Sequence, residues 1–498
     1  MISRIATLAL ILAGGCPAAT LRADEPPALV PAAEARHALD RACAAMRAIA
    51  TEGGYLWRYS PDLTVRGGEV AATATQVWVQ QPGTPSMGQL FLDAWKVTGD
   101  PAHLAAARAA ALALVRGQLE SGGWDYLIEF DPARRAAWRY RVEDVSTDRK
   151  AKNTTTYDDN TTQGALSFLI SFVDTAKAAP DPADAGIREA LDYGLHEVMV
   201  AQYPNGAWPQ RWDGDRHDPS QYPVVRATIP QDYPREQPTT GYYAHYTFND
   251  GAHRDLVLML LEAARRLGRE ECREAARRGA DFLLLAQLPE PQPAWAQQYD
   301  AGMQPAWARA FEPPSVSSAE SVGVIRLLMD VYVEFGDEKY LSAIPPAIAW
   351  LRRSEIAPGR WARLYELGTN RPVYGDRDRH VHYTLAEISE ERREGYGWEG
   401  GFDVLSTIER HERLVADGRE KALRKRAGTP LDAERRASRL AKASPVVRGV
   451  IDRLDAEGRW LSRGRAKRVD ASATAWIETG EFIRNARVLC DYLALFEK

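Results

Sequence analysis

Apolar residues recur at helical spacing along most of the chain, and this pattern predicts a largely helical protein. Between residues 102 and 119 the sequence is rich in alanine, and Leu104, Ala107, Ala111 and Val115 fall on one helical face. No run of alternating apolar and polar residues competes with this pattern, so we expect strands to be a minor component.

Short links with helix-ending and helix-starting residues join these periodic segments. In Thr98-Gly99-Asp100-Pro101 the glycine suits a helix end, the aspartate suits a cap, and the proline suits a first turn. Phe335-Gly336-Asp337-Glu338 follows the same pattern, and Leu267-Gly268-Arg269-Glu270 follows it more loosely. Links this short join antiparallel helices, so the sequence predicts a series of helical hairpins.

A turn with glycine and an aromatic residue recurs after the helical segments. It occurs at Gly53-Gly54-Tyr55-Leu56-Trp57, Gly122-Gly123-Trp124-Asp125-Tyr126, Asn205-Gly206-Ala207-Trp208-Pro209, Pro358-Gly359-Arg360-Trp361 and Glu457-Gly458-Arg459-Trp460. The spacing is too irregular for a strict solenoid. Helical hairpins with aromatic turns at one end predict a mainly α fold, an α/α toroid with aromatic-lined loops around one cleft.

Composition and charge are those of an ordinary globular protein. Of 498 residues, 45% are hydrophobic and 26% are charged, and the formal net charge is −5, without the basic bias of nucleic-acid-binding proteins. Nucleic acid is therefore not an expected partner. The 14 tryptophans and 20 tyrosines suit either a core or a sugar-binding surface, and composition leaves both open.

The N-terminus has the pattern of a secretion signal. Arg4 precedes the apolar run 5–13, small residues follow, and cleavage after Ala23 would begin the mature chain at Asp24. We therefore predict a signal peptide at 1–23, a single toroid domain at 24–498 and a secreted or periplasmic location. Acylation of Cys16, as in a lipoprotein, is the alternative. No later segment has the length and apolarity of a transmembrane helix.

The remaining cysteines do not form a framework. Cys43, Cys272 and Cys490 are far apart in the sequence, so we predict neither a disulfide nor a cysteine metal site.

Two acidic, oxygen-rich loops stand immediately before helical segments. The first, 156–162, contains Asp158 and Asp159, and the second, 245–251, contains Asp250. Such residues are ordinary helix caps, and capping is the plain interpretation of either loop alone. Only one of two adjacent aspartates can cap, however, and their charges repel unless a cation lies between them. Hard oxygen ligands of this kind favour calcium.

A third unusual segment is the proline-rich stretch 289–314, which predicts a long loop. Loops of this length in a compact domain usually have a function. The loop carries Arg309, which has two interpretations. It could pair with Glu312 three residues later, or its guanidinium could bind the carboxylate of a substrate.

From about residue 154 to residue 401 the sequence resembles the pectate lyases of polysaccharide lyase family ten. The resemblance rests on motifs in a fixed order: Thr156-Tyr157-Asp158, Gln202 to Gln210, Thr247-Phe248-Asn249-Asp250, Trp295 to Asp300, Pro305 to Glu312, Glu320-Ser321, Arg363 to Glu366, Arg377-Asp378 and Glu391 to Trp398. Each motif is weak alone, and their order makes the set specific. The resemblance implies an α/α toroid that cleaves polygalacturonate by calcium-assisted elimination.

The resemblance also implies roles for individual residues. Asp158 and Asp250 match the family's calcium-binding acids, and Arg309 matches the arginine taken as the catalytic base. Substrate-binding positions are assigned to Arg377, Arg392, Arg393, Asp159 and Trp208.

The sequence departs from the family pattern at two points. It has Asp158-Asp159-Asn160 where the family often has Asp-Asn-Gly, and Ala207 replaces the usual second glycine. A second carboxylate in the first motif would either tighten calcium or repel an anionic substrate.

These observations predict a secreted pectate lyase that uses Ca²⁺ and acts on an anionic polysaccharide. Anti β-elimination would leave 4,5-unsaturated oligogalacturonides, because the base removes the C5 proton opposite the leaving oxygen. Two alternatives stay open. One is a glycoside hydrolase on the same fold, using Asp158, Asp159 and Asp250 as acid and base. The other is a glycan-binding protein without catalysis.

Overall fold

A computed structural model of the protein describes residues 29–143, 146, 148–238, 241–428 and 430–496. The predicted signal peptide at 1–23, with Cys16, lies outside the described residues. Within them, no helix is both long enough and apolar enough to cross a bilayer. The thiols of Cys43, Cys272 and Cys490 are unpaired and buried.

Helices make up most of the regular structure in the described residues. They are α1 (Ala32–Ala48), α2 (Thr84–Thr98), α3 (Pro101–Gly117), α4 (Pro132–Arg135), α5 (Thr161–Ala176), α6 (Asp184–Val200), α7 (Ala252–Leu267), α8 (Glu270–Ala286), α9 (Ser318–Phe335), α10 (Glu338–Ser342), α11 (Ile344–Arg353), α12 (Glu390–Gly395), α13 (Val404–Ala427), α14 (Ala433–Asp452) and α15 (Thr479–Ala494).

The helices form a ring of antiparallel hairpins. Along the inner layer α15 packs against α2, α2 against α5, α5 against α7, and both α7 and α13 against α9. The outer helices α3, α6, α8 and α11 pack behind α2, α5, α7 and α9, and α1 packs behind α15. The predicted mainly α fold, an α/α toroid, is confirmed.

The predicted helix boundaries follow the capping chemistry of the links. Gly99 ends α2 in the left-handed conformation, with φ of 67°. The side chain of Asp100 then accepts a hydrogen bond from the Ala102 amide at 2.9 Å, and α3 begins at Pro101. Gly268 and Gly336 end α7 and α9 in the same left-handed conformation.

The strands are short and antiparallel. They are β1 (Arg58–Tyr59), β2 (Arg66–Gly67), β3 (Gln76–Trp78), β4 (Leu127–Glu129), β5 (Thr155–Thr156), β6 (Arg211–Trp212), β7 (Tyr246–Thr247), β8 (Gln298–Tyr299), β9 (Val316–Ser317), β10 (Glu355–Ala357), β11 (Arg360–Ala362), β12 (Leu364–Tyr365), β13 (Pro372–Gly375), β14 (Val381–His382), β15 (Glu399–Gly400), β16 (Leu461–Arg463) and β17 (Ala475–Glu478). Two of the pairs, β5 with β6 and β7 with β8, hold the loops before α5 and α7.

A buried tryptophan follows each of five outer helices and binds back to it. In each case the indole N–H donates to a backbone carbonyl of the preceding helix, at 2.7–2.9 Å: Trp124 to Leu114, Trp208 to Val198, Trp295 to Leu283, Trp361 to Leu351 and Trp460 to Val450. Four of the five aromatic turns of the sequence, those of Trp124, Trp208, Trp361 and Trp460, therefore anchor the end of the preceding helix, whereas Trp57 donates to the carbonyl of Gln80.

This repeated contact corrects the role assigned to Trp208. Its side chain is 1% exposed and packs against His253 in the core. The structure therefore places Trp208 in the core, where it has no access to a substrate.

Candidate active site and cation site

Two turns with the same local structure face each other where α5 and α7 begin. The turn Asp158–Asn160 lies between β5 and α5, and the turn Asn249–Gly251 lies between β7 and α7. Asp159 and Asp250 occupy the same position in the two turns and have left-handed backbones, with φ of 52° and 50°. Left-handed geometry is unfavourable for most residues and tolerated by aspartate and asparagine.

The buried amide of Gln163 holds the two turns together. Its Nε2 donates to the carbonyl of Tyr157 at 2.7 Å, just before the first turn, and to the carbonyl of Ala252 at 3.2 Å, just after the second. The relative position of the turns is thus fixed by a residue of α5.

Asp158, Asp159 and Asp250 form one group, here called the acid cluster. Carboxylate oxygens of the three side chains lie within 4.8 Å of one another. Oδ2 of Asp158 accepts a hydrogen bond from the hydroxyl of Tyr126 at 3.2 Å, whereas Oδ1 is buried and has no hydrogen-bond partner in the described residues. Both predicted calcium-binding acids, together with Asp159, are brought to one place.

Burial raises the pKa of all three carboxyls, and repulsion between the acids adds to the shift for Asp159 and Asp250. Burial has the largest effect on each, and it raises the pKa of Asp159 to about 7 with further contributions from Asp158 and Asp250. The pKa of Asp158 is raised by burial and lowered in part by the nearby guanidinium of Arg309. The pKa of Asp250 is raised by burial and then by Asp158.

These residues fit a calcium ion. The cluster supplies three hard oxygen ligands, and the unpartnered Oδ1 of Asp158 needs a hydrogen-bond donor or a cation. A cation would also relieve the repulsion that raises the pKa of Asp159 and of Asp250. Asp158, Asp159 and Asp250 are the residues that would hold it.

Arg309 lies beside the acid cluster, where Glu312 clamps it. Glu312 accepts hydrogen bonds from Nε at 2.8 Å and from Nη2 at 2.6 Å, and it also accepts one from the hydroxyl of Tyr396 at 2.9 Å. Nη2 of Arg309 lies 3.9 Å from Oδ2 of Asp250. The pairing with Glu312 that the sequence suggested is therefore present, and so is proximity to the acids.

The clamp affects the charge of Arg309. Burial alone would lower the pKa of this guanidinium, but the hydrogen bonds and charge of Glu312 outweigh burial and raise it. Arg309 is thus protonated in the resting protein. Because Glu312 occupies Nε and Nη2, Nη1 has no hydrogen-bond partner in the described residues.

The other predicted arginines are arranged around this pair at different depths. The Arg392 guanidinium stacks over the Phe311 ring at 4.5 Å, and that of Arg309 lies over the same ring at 5.2 Å. Glu391 accepts hydrogen bonds from Arg377 and Arg392. Arg393 is exposed on the surface of α12. The structure therefore brings Arg392 close to Arg309, connects Arg377 to Arg392 only through Glu391, and places Arg393 on the outer surface.

A buried carboxyl that the sequence interpretation did not assign lies beside Asp250. Glu320, at the start of α9, is 9% exposed and lines a cavity of about 440 Å³ together with Asp250. Burial, followed by the charge of Asp250, raises the pKa of Glu320 to about 8, and Arg363 opposes this shift. Its signal in the sequence was the Glu320-Ser321 motif, which carried no stated role.

An arginine next to the first turn was also missed. Arg211 directly follows the motif 202–210, and its guanidinium stacks on the ring of Tyr243 at 3.8 Å. Neither residue belongs to a quoted motif, so only the three-dimensional contact identifies the pair.

Sequence comparison finds one family whose model matches more than half of the chain. Residues 118–360 and 354–404 match a family described as pectic acid lyase. Every residue of the acid cluster, together with Arg309, falls inside these ranges. A search of curated proteins found no match.

Solved structures with a similar arrangement of helices are distant in sequence. A family 10 polysaccharide lyase from Cellvibrio cellulosa is 23% identical, covers 66% of this chain and 97% of its own, and has a TM-score of 0.45. A mutant of that lyase in complex with trigalacturonic acid is 22% identical, with 66% and 98% coverage and a TM-score of 0.44. A cellobiose 2-epimerase from Bacillus thermoamylovorans is 12% identical, with 93% and 98% coverage and a TM-score of 0.42.

Proposed function

The chain belongs to the pectic acid lyase family and is a lyase acting on polysaccharides, and from this premise we propose that it is a calcium-dependent pectate lyase. Its substrate is polygalacturonate, cleaved by anti β-elimination to 4,5-unsaturated oligogalacturonides. The observation that carries the proposal is the position of Arg309, whose Nη2 lies 3.9 Å from the acid cluster. A cation-binding group and a candidate proton-transfer group thus meet at one point.

The chemistry requires the C5 proton of a uronate to be removed although the neighbouring carboxylate is already negative. A calcium ion held by Asp158, Asp159 and Asp250 would neutralise that carboxylate and stabilise the negative charge that develops in the transition state.

We assign proton removal to Arg309, through Nη1. This nitrogen has no hydrogen-bond partner within the described residues, and the Glu312 clamp on Nε and Nη2 fixes the plane of the guanidinium. The C5–H electron pair forms the C4–C5 double bond, the C4–O bond breaks, and the leaving oxygen takes a proton from solvent. Because Glu312 favours the protonated guanidinium, only a small neutral fraction of Arg309 can act as a base.

The geometry disfavours the hydrolase alternative. A pair of carboxyls acting as acid and nucleophile, or as acid and base, stands about 5–9.5 Å apart. Oxygens of the three acids lie within 4.8 Å of one another. This spacing suits ligands of one cation better than a pair of carboxyls around a sugar bond.

The substrate and location extend the same proposal. The Cellvibrio lyase variant was solved with trigalacturonic acid, and this supports a polyuronate as substrate here. The N-terminal signal pattern at 1–23 supports a secreted or periplasmic location, where such a polysaccharide is accessible.

The test is turnover of polygalacturonate by the full chain, followed by ultraviolet absorbance of the unsaturated product. We expect absorbance to rise with calcium, to stop on addition of chelator and to return with excess calcium. New reducing ends without absorbance would identify a hydrolase. Calcium-dependent binding of polygalacturonate without any product would identify a glycan-binding protein.

Two variants connect the activity to the acid cluster. Asp158→Asn and Asp250→Asn each remove one charged ligand at nearly constant shape, and we expect calcium affinity to fall about 10-fold or more. The control is Asp215→Asn, which removes an exposed carboxylate from the loop after β6. Equal calcium affinity in all three variants would place the cation elsewhere.

A further inference from the structure

A β-ribbon fixes Arg211 next to the acid cluster. In the pairing of β5 with β6, Arg211 lies opposite Thr156, two residues before Asp158. The amide of Tyr157 donates to the carbonyl of Gln210 at 3.0 Å, which continues the pairing to the edge of the cluster. Trp212, the next residue along β6, is 2% exposed and anchors the strand in the core. Because side chains alternate along a strand, Arg211 points to the opposite, accessible side.

The guanidinium of Arg211 lies over the ring of Tyr243. The distance from its central carbon to the ring centroid is 3.8 Å, and the carbonyl of Tyr243 accepts a hydrogen bond from the Arg211 amide at 3.2 Å. Tyr243 is itself 37% exposed and its ring packs at a tilt of 38° against that of Tyr242, with centroids 4.3 Å apart. Stacking covers one face of the guanidinium and leaves its N–H edge available, because the donors lie in the plane of the group.

Among the described residues, no carboxylate pairs with the guanidinium of Arg211. Arg309 is paired with Glu312, and Arg377 is paired with Glu391. In the part of the chain that the structure describes, Arg211 has neither an ion pair nor a side-chain hydrogen bond. Its charge nevertheless reaches the cluster, since it is one of the groups that lower the pKa of Asp158. An oriented and unpaired guanidinium beside an anion-processing site needs an explanation.

We propose that Arg211 and Tyr243 form a subsite for one uronate unit of the polysaccharide, adjacent to the unit at the acid cluster. Arg211 binds the carboxylate of that unit through its N–H edge, and the exposed face of Tyr243 contacts the sugar ring. The subsite rests on the proposed function, since it assumes a polymer with one carboxylate per sugar. It gives the site a second point of attachment and so selects de-esterified chains.

A purely structural role predicts different behaviour. If Arg211 only holds the loop of Tyr243 in place, its loss lowers thermal stability and leaves substrate affinity unchanged at temperatures where the variant is folded. If it only supports the acid cluster, its loss weakens calcium binding. A carboxylate subsite instead changes KM and its dependence on salt, because the contact is a charge pair that salt screens.

The first arm measures kinetics of Arg211→Gln on polygalacturonate at saturating calcium. We expect KM to rise about 10-fold or more at low salt and kcat to change less than about 3-fold, as for loss of a contact made equally in ground and transition states. The difference in KM should shrink as sodium chloride is added. The matched control is Arg216→Gln, which removes an exposed arginine five residues further along the same loop. Equal KM values for the two variants would overturn the subsite.

The second arm separates the subsite from the cation site. Calorimetry without substrate should give Arg211→Gln a calcium affinity equal to or tighter than that of the unmodified protein, because a nearby positive charge is removed. Calcium binding weakened by about 10-fold would show that Arg211 supports the acid cluster, and would overturn the proposal.

Two further variants keep the test decisive if Arg211→Gln is poorly folded. Tyr243→Phe preserves the stacked ring and should keep a normal KM, whereas Tyr243→Leu removes the platform and should raise it. Arg211→Lys keeps the charge without the planar fork and should have an intermediate KM. A normal KM in Tyr243→Leu and Arg211→Lys together would contradict the subsite.

Binding of trigalacturonate, measured in calcium, separates failure of the subsite from failure of the proposed function. If the unmodified protein forms no unsaturated product, the proposed function fails, and the binding arm alone then decides on the subsite. Trigalacturonate affinity about 10-fold weaker in Arg211→Gln would support the subsite. Equal affinity, or no binding by the unmodified protein, would overturn it.

Discussion

At the scale of single residues, Arg309 meets opposing demands. Its position beside the acid cluster suits proton transfer or carboxylate binding, while the Glu312 clamp raises its pKa and keeps it charged. The clamp also fixes the direction of Nη1, but it leaves little of the neutral guanidine that can accept a proton. A base of this kind acts through a small neutral fraction, and that fraction grows with pH.

Replacement of Arg309 by lysine tests this role. Lysine keeps the positive charge but loses the planar group that Glu312 grips by two nitrogens, so we expect kcat to fall by about 10²-fold or more. In the unmodified protein, log kcat should rise with pH between 7.5 and about 10 without a plateau, as expected for a base whose pKa lies higher. Near-normal turnover by Arg309→Lys, or a flat profile above pH 8, would contradict the assignment.

Asp159 gives a second prediction at this scale, about pH and calcium. Its pKa is about 7 in the folded protein and near 3.8 as an isolated group. Between pH 3.8 and pH 7 the calcium-free folded state therefore binds one more proton than the unfolded state. The stability contributed by that proton is fully present below pH 3.8 and is lost as pH rises through 7. Calcium stabilises the ionised carboxylates, so its stabilising effect should increase over the same range.

The measurement is the increase in melting temperature on adding calcium to dialysed protein at a series of pH values. We expect a larger increase at pH 8 than at pH 5. Asp159→Asn should reduce the difference between the two pH values, because the titrating group is removed. An increase that is the same at pH 5 and pH 8 would show that the acid cluster does not bind the ion.

At the scale of elements, the repeated unit is an outer helix, a glycine turn and a tryptophan that binds back to the helix. Gly206 shows why the turn needs glycine. Its φ is 93°, and a β-carbon there would lie 2.1 Å from the carbonyl oxygen of Arg278. The tryptophan then satisfies a carbonyl of the preceding helix, as Trp208 does for Val198 at 2.8 Å.

Trp208→Phe tests the corrected role of this residue. The indole hydrogen bond is lost and a buried carbonyl is left unpaired, so we expect stability to fall by about 1–3 kcal/mol. Activity below the melting transition should stay close to normal. The matched control is Trp124→Phe, the equivalent change in the preceding unit. A selective loss of substrate affinity in Trp208→Phe would return the residue to the binding site.

The sequence predicted the elements better than it predicted the site around them. Helices, caps and the two acidic turns follow from local rules, such as the glycine and aspartate at Gly99 and Asp100. The acid cluster and Arg309 came from local chemistry combined with family resemblance. Contacts between distant segments carry no local signal, so the stacking of Arg211 on Tyr243 and the burial of Glu320 beside Asp250 were missed. The substrate-binding role predicted for Trp208 was wrong because an aromatic turn suits either a core or a sugar-binding surface.

At the scale of the whole molecule, the first and last helices of the described chain close the ring. Helix α1 packs against α15, the hydroxyl of Tyr492 donates to the carbonyl of Val30 at 2.7 Å, and the amide of Val30 donates to Ser444 at 2.8 Å. Neither end of the ring is free to separate without breaking these contacts. We therefore expect ring and active site to unfold together.

Tyr492→Phe tests this coupling at a site outside the matched family region. Loss of one buried hydrogen bond should lower stability by about 1 kcal/mol and leave kcat unchanged at low temperature. Heat inactivation and loss of near-ultraviolet circular dichroism should shift together, because the ring unfolds as one unit. Separate transitions for the two signals would show that α1 and α15 open independently of the site.

Gln163 holds the turns before α5 and α7 at a fixed separation, and this separation affects which cation the acid cluster would prefer. Asp159 and Asp250 stand at the starts of neighbouring inner helices, so the gap between them is set by the distance between the axes of α5 and α7. That distance depends on the side chains between the two helices. In helical proteins the axes of packed helices lie about 8–10 Å apart. If the acid cluster binds a cation as proposed, packing inside the ring selects the ionic radius of that cation. Bulkier residues at that contact would open the gap and favour strontium or barium over calcium, with every ligand unchanged.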